Sequence, residues 1–246
     1  MFKIINPQNQ DIIDIYTQND PIMGCRIHTL YQCYQSYPDI ARFYTNQEGG
    51  LLCTLGSSIF LSGKVDGEEL RGFADVFGCR SISGASGVWE QSFANCRILR
   101  TPVMTYQGGL PQINKSQTVN SNPLRRKVYE ILCCDAAFAA SVGDLHWISD
   151  VATRQHLGLT RLYTIGDQAT AGVYFLSDQV GILASVATLP QARGQGLAST
   201  LINFITAELV TESILPAVIC GEDSLEKFYN SLGYQTIYSH SHILLQ

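Results

Sequence analysis

The sequence predicts an α/β protein of mixed sheet, built as two tandem modules, and three observations carry that prediction. Segments of helical apolar period alternate with short runs rich in β-branched residues along the whole chain. A strand–turn–helix unit stands at 180–205, where an apolar strand stops at Pro190 and a helix begins after Gly194-Gln195-Gly196. A polar stretch rich in Gly, Pro, Asn and Ser, 107–123, divides the chain. On either side of it, Ala41-Arg42-Phe43-Tyr44-Thr45 and Thr160-Arg161-Leu162-Tyr163-Thr164 each open a run of three strands and a helix. We therefore divide the chain into 1–110 and 111–246, the first a reduced version of the second.

In order, the N-terminal part reads as a helix at 26–37, strands at 41–45, 51–55 and 58–61, a helix at 67–77 and a further strand at 81–83. The C-terminal part reads as helices at 124–140 and 145–157, then strands at 160–165, 169–176 and 181–189. A helix at 196–209, a strand at 216–220, a helix at 224–232 and a strand at 234–245 complete it. Proline cannot donate to a sheet ladder, so Pro190 ends its strand. Leu197, Leu201, Ile205 and Leu209 recur every four residues, with Ala198 and Ile202 beside them, which makes one apolar helix face.

Composition narrows the function. With 246 residues, 46% of them hydrophobic, the chain can bury a sizeable core. A net charge of −5 gives no reason to expect nucleic acid or an anionic membrane as partner. The basic run Arg125-Arg126-Lys127 falls in the first turn of a predicted helix and reads as solvated. No apolar run is long enough to span a bilayer, and the N-terminus does not read as a signal peptide, so cytoplasmic residence is the expectation. The eight cysteines form no CxxC pair and no zinc-ligand spacing, and are expected to be reduced and mostly buried. His240 and His242 face one side of a terminal strand, with no third ligand, so no metal is expected.

The chemistry concentrates at Arg193-Gly194-Gln195-Gly196-Leu197-Ala198. Glycines without β-carbons let backbone N–H groups approach a ligand, and the helix N-terminus adds partial positive charge: together, a phosphate cradle. It is not a P-loop, because no Gly-Lys-Ser/Thr follows, and it lacks the third glycine of a dinucleotide fingerprint. A second stretch, Phe228-Tyr229-Asn230-Ser231-Leu232-Gly233-Tyr234, is a short amphipathic helix closing on a glycine. Asp223 with Glu226 reads as its capping box.

These two motifs resemble the GNAT superfamily of N-acetyltransferases. The family's Arg/Gln-x-x-Gly-x-Gly/Ala signature is met by Arg193-x-x-Gly196-x-Ala198, and Phe228 to Tyr234 is similar to its Phe-Tyr-x-x-Leu-Gly-Phe. The resemblance covers the chain from about Leu124 onward. It implies a GNAT-like fold with acetyl-CoA as co-substrate, whose pyrophosphate would sit over Arg193 to Ala198 and whose pantetheine would run beside Val186, Ala187 and Thr188. It also implies direct attack by an amine of a small molecule or peptide in a ternary complex, with Tyr229 protonating the departing thiolate. Glu222 stands where many relatives carry Asn, and reads equally as general base or helix cap. His146 and Asp150 border the expected acceptor entrance with structural roles favoured, and Trp147 and Tyr163 are candidates to line it or to be core. The N-terminal module has no counterpart of the glycine turn, since Gly63-Lys64-Val65-Asp66-Gly67 does not match it. Two alternatives stand beside this reading: a non-catalytic acyl-CoA-binding sensor or interaction protein, and an acyltransferase with a longer acyl donor. The oligomeric expectation is monomer or homodimer.

Overall fold

The computed structural model describes residues 1–6, 11–114, 116–221 and 223–245, with Ser141, Asp223 and Ser224 described by their backbone alone. The chain forms two compact units, Met1–Met104 with Cys220–Glu226 and Thr236–Gln246, and Thr105–Ile219 with Lys227–Gln235. The units are thus not two consecutive stretches of chain: two short C-terminal segments belong to the first.

In the first unit, β1 (Lys3–Ile4) and α1 (Asp11–Thr17) precede α2 (Pro21–Tyr34). The sequence reading started α2 five residues late. Asp20 caps it, its carboxylate accepting from Met23 N at 3.3 Å, and Pro21 supplies the preset φ of the first turn. The chain then makes an antiparallel meander, β2 (Ala41–Thr45), β3 (Leu51–Leu55) and β4 (Ser58–Ser62), with pairs such as Phe43↔Cys53 and Cys53↔Phe60. Next come α3 (Gly67–Val76) and β5 (Ser81–Ala85), which lies parallel to β4 from Ser58↔Ser81 to Phe60↔Ser83. A 3₁₀ turn, Val88–Phe93, leads to β6 (Arg97–Tyr106), a strand the periodicity did not reveal. Its apolar residues follow no alternation and Pro102 interrupts it, which demotes it in any pattern reading. The core of this unit gathers Leu52, Ile59, Leu61, Leu70, Ile82, Phe93 and Ile243, all but fully buried.

In the second unit, the stretch expected to be a single helix at 124–140 is two: α4 (Arg125–Leu132) and α5 (Ala136–Ser141). Between them Cys134 N and Asp135 N bond three residues back, to Ile131 O and Leu132 O, and the Asp135 carboxylate caps α5 through Phe138 N at 2.9 Å. The side chain that breaks one helix therefore starts the next. The basic run at its start is engaged: Arg125 donates to Gln155 at 2.6 Å and Arg126 to Asp144 at 2.6 Å, and Lys127 pairs with Asp167 at 3.2 Å.

Then follow α6 (Asp144–His156), a second antiparallel meander of β7 (Arg161–Ile165), β8 (Ala169–Leu176) and β9 (Val180–Thr188), α7 (Leu197–Thr211), and β10 (Leu215–Ile219), parallel to β9. The order helix, three-strand meander, helix, parallel strand is that of the first unit. The unit's helices cover both faces of this sheet. Leu162 packs with Val128, Leu132, Trp147 and Val151 of α4 and α6, while its neighbour Tyr163 meets Phe204 and Glu208 of α7, and consecutive strand residues point to opposite faces. On α7, Leu197, Leu201, Ile202, Ile205 and Leu209 are buried, as the four-residue spacing requires, and each such side chain contributes about 1.5–3 kcal/mol. The chain ends in α8 (Asp223–Ser231) and β11 (Tyr234–Leu244), which pairs antiparallel with β5 from His240↔Ala85 to Leu244↔Ser81.

Candidate functional site

The predicted cofactor-binding residues lie on the C-terminal half of β9 and at the start of α7. The ladder between β9 and β10 runs from Val180↔Leu215 to Leu183↔Val218 and stops there, while β9 continues to Thr188. Ala187 and Thr188 therefore keep partners on the β8 side, Thr170↔Ala187 and Ala169↔Thr188, and among the described residues no strand pairs with Val186 to Thr188 on the other side. Such an edge presents unpaired backbone donors and acceptors to an extended ligand. Just before it, the register with β8 slips by one residue, and Ser185 sits at φ 56°, the left-handed region that costs a side chain about 1–2 kcal/mol. That bulge bends the strand where the ladder has ended.

Beyond Thr188 the chain makes a 3₁₀ turn at Pro190–Ala192 and enters the predicted cradle. Arg193 is tied back, its Nε donating to Thr188 O at 3.2 Å. Gly194 has φ 78° and Gly196 φ 74°, and a β-carbon on either would meet nothing within 4 Å, so both turn an open face outward. Gly196 is the N-cap of α7, and no side chain closes that end. The N–H groups of Leu197, Ala198 and the next residue belong to a first turn that has no intrahelical partner for them, and no acidic side chain stands among them. Gln195 lies exposed between the two glycines. An anion fits this place on backbone grounds alone.

The first unit offers the opposite arrangement at the equivalent turn. There the N-cap of α3 is Asp66, whose carboxylate accepts from Glu69 N at 2.8 Å, and Glu68 and Glu69 fill the first turn. The strands there also stay close: a β-carbon on Gly84 would run into the Leu61 side chain and stand 3.1 Å from its carbonyl oxygen.

Tyr229 is buried, with 4% exposure, packed edge-on against Phe228 and Tyr234. Tyr234 in turn shares a 2.7 Å hydrogen bond with Thr206 of α7. Gly233 closes α8 at φ 90°, and its α-carbon faces the Tyr106 ring, where a β-carbon would sit 2.9 Å from it. The Glu226 carboxylate accepts from Thr236. Glu222 lies outside the described residues, as do the side chain of Asp223 and with it the capping-box expectation.

A cavity of about 430 Å³ opens beside the β9 bulge, lined by Phe138, Val142, His146, Trp147, Asp150, Tyr174, Ala184 and Ser185. Trp147 is both core and lining, whereas Tyr163 is buried and is not part of this lining, its hydroxyl donating to Glu208 at 2.6 Å and its pKa pushed up by burial. Asp150 holds a network the sequence did not reveal: Tyr174 donates to it at 2.8 Å, and Arg154 pairs with it at 3.0 Å. Arg154 is buried and stacks over the Tyr174 and Phe175 rings at 4.5 and 4.9 Å. Their spacing of four residues on one helix was the available signal.

Among the described residues no group of three or more His, Cys, Asp or Glu side chains could hold a metal. His240 is buried, and its Nε2 lies 3.1 Å from Arg26 Nη1. Burial first, then Arg26 and His242, push its pKa down to about 3. All eight cysteines are free, and burial raises the Cys220 thiol to about 11, which disqualifies it as a nucleophile at neutral pH. Among the described residues no helix is long and apolar enough to cross a membrane.

A three-strand meander, a parallel strand that parts from it at a bulge, and a glycine turn opening a helix define the fold of the GNAT acetyltransferases. Solved structures agree. The chain is similar to a GCN5-related N-acetyltransferase from Kribbella flavida, at 15% identity over 91% of this chain and 94% of that one, with a TM-score of 0.65. It is similar also to a Drosophila protein at 12% identity over 99% and 98%, TM-score 0.65, and to a GNAT-family acetyltransferase from Colwellia psychrerythraea at 10% identity over 100% of both chains, TM-score 0.58. Residues 157–243 match the family described as FR47-like protein. No curated protein matches the chain significantly.

Proposed function

We propose that this protein transfers an acetyl group from acetyl-CoA to an amine of a small molecule or peptide. The observation that carries the reading is the continuity of the unpaired β9 edge with the uncapped N-terminus of α7. One surface thus offers amide-pairing groups for a pantetheine arm and, directly after it, a cradle for a pyrophosphate.

The co-substrate supplies an activated thioester carbonyl and a thiolate leaving group. The chain's own residues do the rest. The backbone of Val186 to Thr188 orients the acyl arm, and an N–H freed by the bulge stabilises developing charge on the carbonyl oxygen. Gly194, Gly196 and the first turn of α7 hold the phosphates, with Arg193 at the rim. Tyr229 donates a proton to the departing sulfur. His146 lines the cavity beside the bulge, so removal of the amine proton falls to it, acting directly or through water, or to Glu222. The first unit binds no coenzyme in this reading: Asp66 places a carboxylate where a phosphate would have to sit. Residues 1–110 are then a reduced module, and 111–246 the catalytic one. A site on one chain requires no partner subunit, and a soluble monomer or homodimer in the cytoplasm suits it.

Isothermal titration with acetyl-CoA, followed by release of free thiol in the presence of trial amines, tests the proposal. Binding with turnover supports it, and binding without turnover on any amine turns the reading toward an acyl-CoA sensor. A folded protein that ignores acetyl-CoA would end it.

A further inference from the structure

Resting on that reading, we propose that the acceptor is a primary amine carried on an aromatic or bulky apolar group, with no charge beyond the amine itself. The cavity beside the β9 bulge is the reason. Its walls are Phe138, Val142, Trp147 and the Tyr174 ring, and its volume of about 430 Å³ lies at the small end for small-molecule pockets. At protein-like packing that space has ample room for a small aryl or branched alkyl amine.

The cavity is electrically quiet despite its carboxylate. Asp150 has its charge answered inside the protein, by the Arg154 guanidinium at 3.0 Å and the Tyr174 hydroxyl at 2.8 Å. Arg154 is itself held between that carboxylate and the two aromatic rings, so Asp150 is not at liberty to pair with a ligand cation. Polyamines, aminoglycosides and lysine-rich peptides bring several charges that need acidic walls, and among the described residues no second carboxylate lines this cavity. An aryl or branched alkyl group gains instead from burial, about 25 cal/mol per Å² of apolar surface.

Two irregularities of the sheet shape the cavity. Besides the slip at Ser185, the register of β8 against β9 shifts between Val173 and Phe175, leaving Tyr174 as the extra residue. Both bulged residues, Tyr174 and Ser185, contribute to the lining. The apolar walls thus begin where the β9 edge becomes unpaired, beside the backbone that the proposed function assigns to the acyl arm.

The test is a comparison of 2-phenylethylamine with spermidine and kanamycin, by thiol release at saturating acetyl-CoA. It is joined by calorimetric titration of 2-phenylethylamine into protein saturated with CoA, which cannot transfer. The expected result is a kcat/KM for 2-phenylethylamine at least tenfold above either polycation, measurable binding to the CoA-loaded protein, and a tenfold or greater loss of both in Val142→Asp, whose thermal melt and acetyl-CoA titration show that it is folded. Preference for a polycation, or no binding of 2-phenylethylamine while acetyl-CoA still binds, overturns the inference and leaves the acetyltransferase reading standing. Failure of acetyl-CoA itself to bind removes that reading instead.

Discussion

Gly196→Val is the perturbation that separates a ligand cradle from a mere turn. Gly196 adopts φ 74°, so any side chain there is strained by about 1–2 kcal/mol, yet a β-carbon would meet no protein atom within 4 Å. The cost to the free protein is therefore backbone strain alone, which lowers the melting temperature by about 2–8 °C in a domain of this size. Gly158, at the C-terminal end of α6, gives a matched control, with φ 73° and the same empty surroundings. Gly158→Val should lose as much thermal stability as Gly196→Val. Only Gly196→Val should lose acetyl-CoA, because its isopropyl group occupies the space in which the first-turn amides meet phosphate oxygens. Removing one or two charge-assisted hydrogen bonds costs about 2–3 kcal/mol, or roughly 30- to 150-fold in affinity. Calorimetric titration beside thermal melts of all three proteins reads both quantities. Equal acetyl-CoA affinity in the parent and in a folded Gly196→Val would refute the cradle and the logic behind it.

Tyr229→Phe keeps the ring contact with Tyr234 and should lower kcat by about 10²- to 10⁴-fold with little change in the KM for acetyl-CoA; an unchanged kcat would reduce Tyr229 to core. Arg154→Met leaves the half-buried Asp150 carboxylate without this cation and should cost about 3 kcal/mol in denaturant melts, with Asp150→Asn/Arg154→Met losing less than the sum of the single changes. His240 gives a pH dependence. Above pH 6.5 neither folded nor unfolded chain protonates it, so its contribution is constant; below that the unfolded chain takes a proton that the folded one refuses down to about 3. Stability should fall by about 1.4 kcal/mol per pH unit in that window, about 2 kcal/mol by pH 5. His240→Gln should flatten that slope relative to the parent, and identical slopes would show that the imidazole is not held neutral.

Both meanders were legible from alternation, and α7 from its four-residue stripe, because one face of each must be buried and the pattern records it. The turn before α7 was legible because left-handed turns need glycine, and Gly194 and Gly196 have the positive φ that the residue type advertises. What escaped depends on contacts distant in sequence. β6 holds its place although Pro102 breaks its pattern, and Pro102 O accepts from Cys220 N at 2.9 Å, a partner no local window contains. The break between α4 and α5 turned on one Asp side chain choosing a backbone amide over solvent. The Ser185 bulge carries no sequence signal, since serine is not a residue that announces a positive φ. The cavity it borders was therefore visible only as scattered names, His146, Trp147 and Asp150, with the Arg154 pairing that neutralises its floor left unseen.

The two helix ends described above differ in what completes them. α3 is finished by its own Asp66, whereas α7 starts on a bare glycine whose following amides face outward. In deuterated solvent, the first-turn amides of α7 should exchange among the fastest of any helix in the second unit while the end stands open. A bound pyrophosphate would slow them, since its oxygens take the place of the missing cap. If the proposed coenzyme binds there, one helix of the chain completes its own end and another receives its last hydrogen bonds from a guest, which makes binding the final step of folding for that turn.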